Sequence, residues 1–183
     1  MKPTKSLDRR VRRTHRLLVE ALIALALEKD YDSITIREIT ARADLAYSTF
    51  FRHYPDKDAL VRAILEKVIA EMRDLVALPM DQAGVLIFER VRDNEALYRV
   101  LLNSMRVASI GTYVHDLVTR EILHSPVIPT QSPVPREVAA NHVMLAIMGL
   151  IEWWLTHNMP YTPERMGVVY SELIIKPVLA LRR

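Results

Sequence analysis

The sequence predicts an all-α protein, of a length that suits one large domain or a small head on a larger body, on three observations. Apolar residues recur at helical spacing, as in Leu17, Leu18, Ala21, Leu22, Leu25 and Ala26, with no long alternating β-branched run. Glycine occurs only four times in 183 residues, while Leu, Ala, Glu and Arg abound, a composition that favours helix. Start and stop signals then cut the chain into helix-sized pieces. Half of the residues are hydrophobic and 26% are charged, enough for a packed core. With no cysteine, disulfides and thiolate metal sites are excluded, and the chain fits a reducing cytoplasm, its expected location.

The first helix is expected from about Arg10 to Lys29, and "KDYDS" (29–33) breaks it. Thr35 and Glu38 then have capping-box spacing, with Ile34 and Ile39 at the two positions of a hydrophobic staple, so a second helix spans about 36–43. Asp44-Leu45-Ala46 makes a tight turn before a third helix at about 47–54, which Pro55 closes. Asp56 can cap a fourth helix that starts at Lys57. Its apolar stripe runs through Leu60, Ile64, Val68, Met72 and Leu75 to a stop at Pro79. Helices follow at about 82–92, 94–103 and 106–124, then a proline-rich loop, "SPVIPTQSPVP" (125–135), and a long apolar helix at about 136–157. Thr162-Pro163 opens the last helix, which Pro177 should bend or end. The domain boundary is expected between residues 56 and 57.

Charge is concentrated at one end. Residues 1–16 hold Lys2, Lys5, Arg9, Arg10, Arg12, Arg13 and Arg16 against Asp8 alone, whereas residues 61–183 carry thirteen charges of each sign. A basic arm of this kind reads as a polyanion contact. A secretory signal at 17–27 is rejected, because Glu20 interrupts it and the helical pattern continues through Glu28 and Lys29. The longest uncharged run of the tail, Val138 to Ile151, is short for a membrane span and includes Asn141 and His142. No membrane partner is expected.

Two short helices joined by a three-residue turn make a helix-turn-helix, whose second helix lies in a DNA major groove while flanking elements grip phosphates. Tyr47 and Ser48 stand at the exposed start of that second helix and can read bases. Phe50 points inward, toward Ile39 and Leu45. His53 and Tyr54 carry polar tips on aromatic bodies. Lys57, on the first turn of the next helix, is expected to hold a phosphate there, and Thr35 and Arg37 to do the same on the other flank. The expected duplex-contacting set is Thr35, Arg37, Ala46, Tyr47, Ser48, Thr49, Phe51, Arg52, His53 and Lys57.

The run "TIREITARADLAYSTFFRHYPDKDAL" (35–60) resembles the DNA-binding head of TetR/AcrR-type transcriptional regulators. That family pattern reads Thr-x-x-x-Ile-Ala-x-x-Ala-Gly-Val-Ser, Thr-Phe-Tyr-x-His-Phe and Lys-(Asp/Glu)-x-Leu. "GLIEWWLTHNMPYTPERM" (149–166) is similar to the C-terminal text of one branch. The resemblance implies an N-terminal three-helix head with the helix-turn-helix over 1–56, a six-helix ligand-binding body over 57–183 and a homodimer formed by the last two helices. It further implies a repressor released from a palindromic duplex operator by an unidentified small molecule. Three positions depart from the pattern. Asp44 stands for the turn glycine, Ala46 for the serine cap, at a cost of about 1 kcal/mol, and Phe51 for a tyrosine.

In the body, Met72, Phe88, Tyr98, Leu102, Met105, Tyr113, His142, Met144, Met148 and Trp153 or Trp154 are candidate pocket residues, either lining an effector site or forming plain core. Val143, Ile147, Leu150, Trp154, Met166, Val169, Tyr170, Leu173 and Ile174 give apolar faces wider than one small bundle needs, which suggests self-association. Two alternatives stand beside the repressor. One is a DNA-binding regulator without a small-molecule effector. The other is a helical-bundle enzyme, for which Glu121 and His124 supply one Glu-x-x-His. No second copy accompanies it, nor a phosphate-binding glycine loop, a His-Glu-x-x-His or a thiol nucleophile. The expectation is therefore a non-enzyme without cofactor or metal.

Overall fold

The structure, a computed structural model, describes residues 5–76, 78 and 80–181. Lys2 of the basic arm and the expected stop at Pro79 lie outside the described residues. Among those residues there is no strand, and every helix expected from the sequence is present. The chain divides into two compact units, Met1–Leu65 and Glu66–Arg183.

In the first unit, α1 (Lys5–Ala26) starts earlier than its apolar stripe suggests. Arg9, Arg10, Arg12, Arg13 and Arg16 therefore stand exposed on a helix and not on a loose arm. Its inner stripe, Leu18, Ala21, Leu22 and Leu25, is buried. Glu28 and Arg42 tie the end of α1 to the end of α2 with two parallel bonds of 2.8 and 2.9 Å. A 3-10 turn (Tyr31–Ser33) leads into α2 (Ile36–Arg42), which begins with the expected capping box. The Thr35 hydroxyl accepts from the Glu38 amide at 3.3 Å, and the Thr35 amide donates to the Glu38 carboxylate at 2.8 Å. Both staple residues, Ile34 and Ile39, are buried.

The turn after α2 is a Schellman motif. Leu45 N–H reaches the Thr40 carbonyl at 2.9 Å and Asp44 N–H the Ala41 carbonyl at 3.2 Å. This needs a left-handed residue between them, and Asp44 supplies it at φ 52°. Aspartate tolerates that region better than most residues. α3 (Tyr47–Phe51) starts at Ala46 with no side-chain cap and is shorter than expected, leaving Arg52 and His53 on its exit turn. α4 (Lys57–Val76) crosses the division between the units. Asp56 caps it by accepting from the Ala59 amide at 2.6 Å.

The second unit holds α5 (Met80–Asp93), α6 (Glu95–Ser104), α7 (Ala108–Leu123), α8 (Arg136–Thr156) and α9 (Pro163–Tyr170). α9 continues through a π turn (Ser171–Ile175) into α10 (Lys176–Leu179). The π turn answers Pro177, which has no N–H to donate and whose ring crowds the preceding turn. Phe88 meets Trp154 edge-on at 5.1 Å inside a core that also takes Val127 and Ile128 from the proline-rich loop. α8 ends in a second Schellman turn through Asn158 at φ 57°, with Met159 N–H on the Trp154 carbonyl at 2.8 Å. Arg99 reaches across from α6 to the Leu155 carbonyl at 2.6 Å. By length and composition alone α8 could cross a membrane, at a mean hydropathy of 1.4, so a length argument drawn from 138–151 understates it. Its Ala140, Val143, Met144, Ile151, Trp154 and Leu155 are buried within the unit.

α5 and α9 approach at a glycine pair. A Cβ on Gly167 would lie 2.8 Å from the Val85 backbone nitrogen, and one on Gly84 3.0 Å from the Gly167 Cα. Gly167→Ala should therefore lower stability by about 1–3 kcal/mol despite the helix-propensity gain that Ala normally brings. Thermal denaturation checks this: an unchanged or raised midpoint would show that the helices part without cost.

Candidate nucleic-acid interface

α2 and α3 are too short to persist alone, and what they bury decides what they present. Ile39 and Phe50 are fully buried and Thr40 nearly so, its hydroxyl returned to the Ile36 and Arg37 carbonyls at 3.0 Å. Left outside are Thr35, Arg37, Ala46, Tyr47, Ser48, Phe51 and Arg52. Tyr47 and Phe51 are 49% and 46% exposed, unusual for adjacent aromatic rings. They meet edge-on at 5.2 Å, and the Arg37 guanidinium from α2 lies 5.7 Å from the Tyr47 ring centre. Cation, ring and ring thus form one surface across both helices. Such a surface offers donors for phosphate or guanine and apolar edges that suit a thymine methyl.

Two expected members stand apart. Thr49 is only 9% exposed and its hydroxyl accepts from Arg52 at 3.0 Å, so it holds Arg52 and does not share the outer face. At about 100° per residue, Thr49 and Phe50 flank the inward direction of α3, and Tyr47, Ser48 and Phe51 fall on the other side. Lys57 is half-buried. Its ammonium donates to the carbonyls of Tyr31 at 2.7 Å, Ile34 at 2.9 Å and Asp32 at 3.5 Å, and lies 4.0 Å from the Tyr31 ring centre. Desolvation lowers its pKa. His53 is intermediate in exposure, and Tyr54 behind it shares a hydrogen bond with His15 of α1. Burial raises the Tyr54 pKa.

Sequence reasoning missed the Tyr31, Lys57 and Asp58 group and the His15–Tyr54 pair. Tyr31 sits inside a segment legible only as a break. An aromatic just before a capping box is the one available hint that the break is anchored. Nothing local marks His15 and Tyr54, which are 39 positions apart.

In the second unit the candidate pocket residues separate. Phe88 and Tyr98 belong to the buried core, and Met72, Leu102 and Met148 pack against it. Burial raises the Tyr98 hydroxyl pKa. Met144 is buried, Met105 is intermediate, and Tyr113 donates to Glu66. His142 and Trp153 lie on the surface, so of the two tryptophans it is Trp154 that faces inward. Of the expected association face, Val143, Trp154, Met166, Tyr170 and Ile174 are buried in their own unit and Leu173 is exposed, as are Val138, Leu145, Trp153 and Val168 outside it. Glu121 pairs with Arg73 at 2.6 Å and His124 bonds the Arg120 carbonyl at 2.7 Å.

The first unit thus presents a helix-turn-helix with an exposed mixed cationic and aromatic face, joined through α4 to a separate helical unit. Residues 18–64 match the family model described as bacterial regulatory proteins, tetR family. Residues 80–176 match that of a transcriptional regulator C-terminal region. The chain belongs to the TetR family. It is similar to the uncharacterized HTH-type transcriptional regulator YxbF of Bacillus subtilis (strain 168), at 27% identity over 93% of this chain and 47% of that protein. It also resembles an uncharacterized HTH-type transcriptional regulator of Haemophilus influenzae, at 28% identity over 61% of this chain and 59% of that one. The chain thus spans about half the length of the curated relatives it matches. Among solved structures, a TetR transcriptional regulator from Streptococcus agalactiae shares the fold with a TM-score of 0.68 at 21% identity, covering 93% of this chain and 98% of that one. FadR from Bacillus subtilis in complex with stearoyl-CoA does so with a TM-score of 0.62 at 13% identity, covering 88% and 97%.

Glu38 links the start of α2 to Lys29, which donates to its carboxylate at 2.6 Å. That bond, then those from the Thr35 amide and hydroxyl, hold its pKa down at about 2 against an ordinary 4.5. A depressed carboxylate contributes stability above its unfolded value and loses it as pH falls through the folded one. Glu38→Gln should therefore melt below the unmodified chain at neutral pH, and the gap should close between about 4.5 and about 2. Circular-dichroism melts across that range check it; a gap independent of pH would exclude the charge as the cause.

Proposed function

We propose that the chain is a homodimeric repressor that a small molecule releases from a palindromic DNA operator, acting in the cytoplasm where the DNA is. The observation that carries this reading is the Arg37, Tyr47 and Phe51 surface, exposed where a major groove meets a recognition helix. In this reading residues 1–56 form the DNA-binding part, in which Arg37, Ala46, Tyr47 and Ser48 face base edges. Thr35, Phe51, Arg52 and His53 take the flanking strands, and Thr49 sets Arg52. Residues 57–183 form the effector and dimerisation part. The effector space is proposed beside Met72, Leu102 and Met148, which border the core, and Tyr98 within it.

The exposed apolar residues of α8, α9 and the π turn support association with a second copy. Leu173 is 68% exposed, and Leu145, Val168 and Trp153 lie similarly open. A two-fold contact through these helices places the same patch against itself and sets two recognition helices about 34–36 Å apart, one turn of duplex. Because α4 belongs to both units, an effector that binds better when the heads are wrongly spaced shifts the population off DNA.

Selection of bound duplexes from a random pool tests the reading, with a palindrome as the expected product; recovery of no preferred duplex would overturn it. Tyr47→Ala should change which sequences are recovered, and an equal loss on all sequences would remove Tyr47 from base reading. Leu173→Glu should leave the fold intact by circular dichroism and yield single chains in sedimentation. A dimer that persists at micromolar concentration would move the association face elsewhere.

A further inference from the structure

Lys57 stands where the sequence suggests a phosphate contact, but two features of the first turn of α4 argue for another task. Its three ammonium protons face three backbone carbonyls, those of Tyr31, Asp32 and Ile34, and its charge sits 4.0 Å from the Tyr31 ring centre. To reach a phosphate it would have to leave all of them in a half-buried place. The N-terminus of α4 is also taken, because the Asp56 carboxylate accepts from the Ala59 amide at 2.6 Å. An anion arriving there would meet a carboxylate at the helix end.

Tyr31 is held twice over. Lys57 takes its carbonyl, and its hydroxyl donates to Asp58, the next residue of α4, at 2.9 Å. Ile34, whose carbonyl Lys57 also holds, immediately precedes the Thr35 cap of α2. We infer that Lys57, with Tyr31 and Asp58, is a clasp that fixes the start of α2 to the first turn of α4, positioning Thr35 and Arg37 on DNA without itself touching a phosphate. α3 is already linked to α4 by the short Arg52–Asp56 connection. The clasp adds α2, so a displacement of the first turn of α4 carries both helices of the motif together. This inference rests on the DNA-binding reading and assigns one residue within it.

The test compares unmodified chain, Lys57→Met and Tyr31→Phe on a duplex recovered from the random pool, with folding checked by circular dichroism. A lysine on a phosphate contributes about 0.9 to the slope of log affinity against log salt. Folded Lys57→Met should lose about tenfold or more in affinity, as expected for hydrogen bonds to a charged group, with that slope unchanged. Tyr31→Phe, which alters no charge and keeps the ring, should lose affinity to a smaller extent at the same slope. Amide hydrogen exchange at residues 34–37 should rise in both, a readout available without DNA. A slope reduced by about 0.9 in Lys57→Met overturns the clasp in favour of a phosphate contact. Unchanged affinity in that variant overturns it as well. Should Lys57→Met fail to fold, unchanged affinity and exchange in Tyr31→Phe decide against it. If the unmodified chain itself recovers no preferred duplex, the DNA-binding reading fails first and the positioning role falls with it; failure confined to the variants sinks the clasp alone.

Discussion

A helix of five residues has no independent existence in water, since nucleation costs more than one turn of hydrogen bonds returns. α3 is such a helix, and α2 is only two residues longer. Both are held from outside themselves. Ile39 and Phe50 are buried, the capping box serves the first amides of α2, and the Schellman turn at Asp44 serves its last carbonyls. The exposed face of the motif is what remains after those demands are met. That is why Tyr47 and Phe51 can stay in solvent while Thr49 cannot: the inward direction of α3 lies between Thr49 and Phe50, and both rings are turned more than 90° away from it.

The head was largely legible because its signals are local. A threonine three residues before a glutamate, an isoleucine on either side of the cap, and a proline after an aromatic run each act within one turn. Asp44 in the left-handed region follows equally from the turn geometry. What depends on distance was not legible. Lys57 and Tyr31 are 26 positions apart, and a lysine at a helix start reads the same whether its partner is a phosphate or a carbonyl. Which positions of α3 point out also required the inward direction of that helix, so Thr49 could not be separated from its neighbours.

The body shows a second limit. α8 is apolar on every side, and periodicity cannot choose the buried stripe when no polar stripe opposes it. Adjacent tryptophans make the point: Trp154 meets Phe88 in the core, while Trp153 stacks on His157 at 4.6 Å and remains 41% exposed. Length and helix count were readable from breaks, but the face was not. The glycine pair that lets α5 and α9 close on each other was equally silent, because Gly84 and Gly167 acquire meaning only opposite one another.

These constraints bear on how the proposed regulation can work. A ligand shifts an equilibrium only by its difference in affinity between two states, so the states must differ somewhere that both ligand and DNA can sense. The head offers little internal freedom: α1 and α2 are joined by Glu28 and Arg42, α1 and the exit of α3 by His15 and Tyr54, and α2 and α4 by the Lys57 group. Distorting the motif would break several of these contacts together. In the proposed dimer, altering the spacing of two intact heads breaks none of them. The energetically open route in the proposed dimer is therefore a change in where each head is held, with α4 as the covalent path along which it travels.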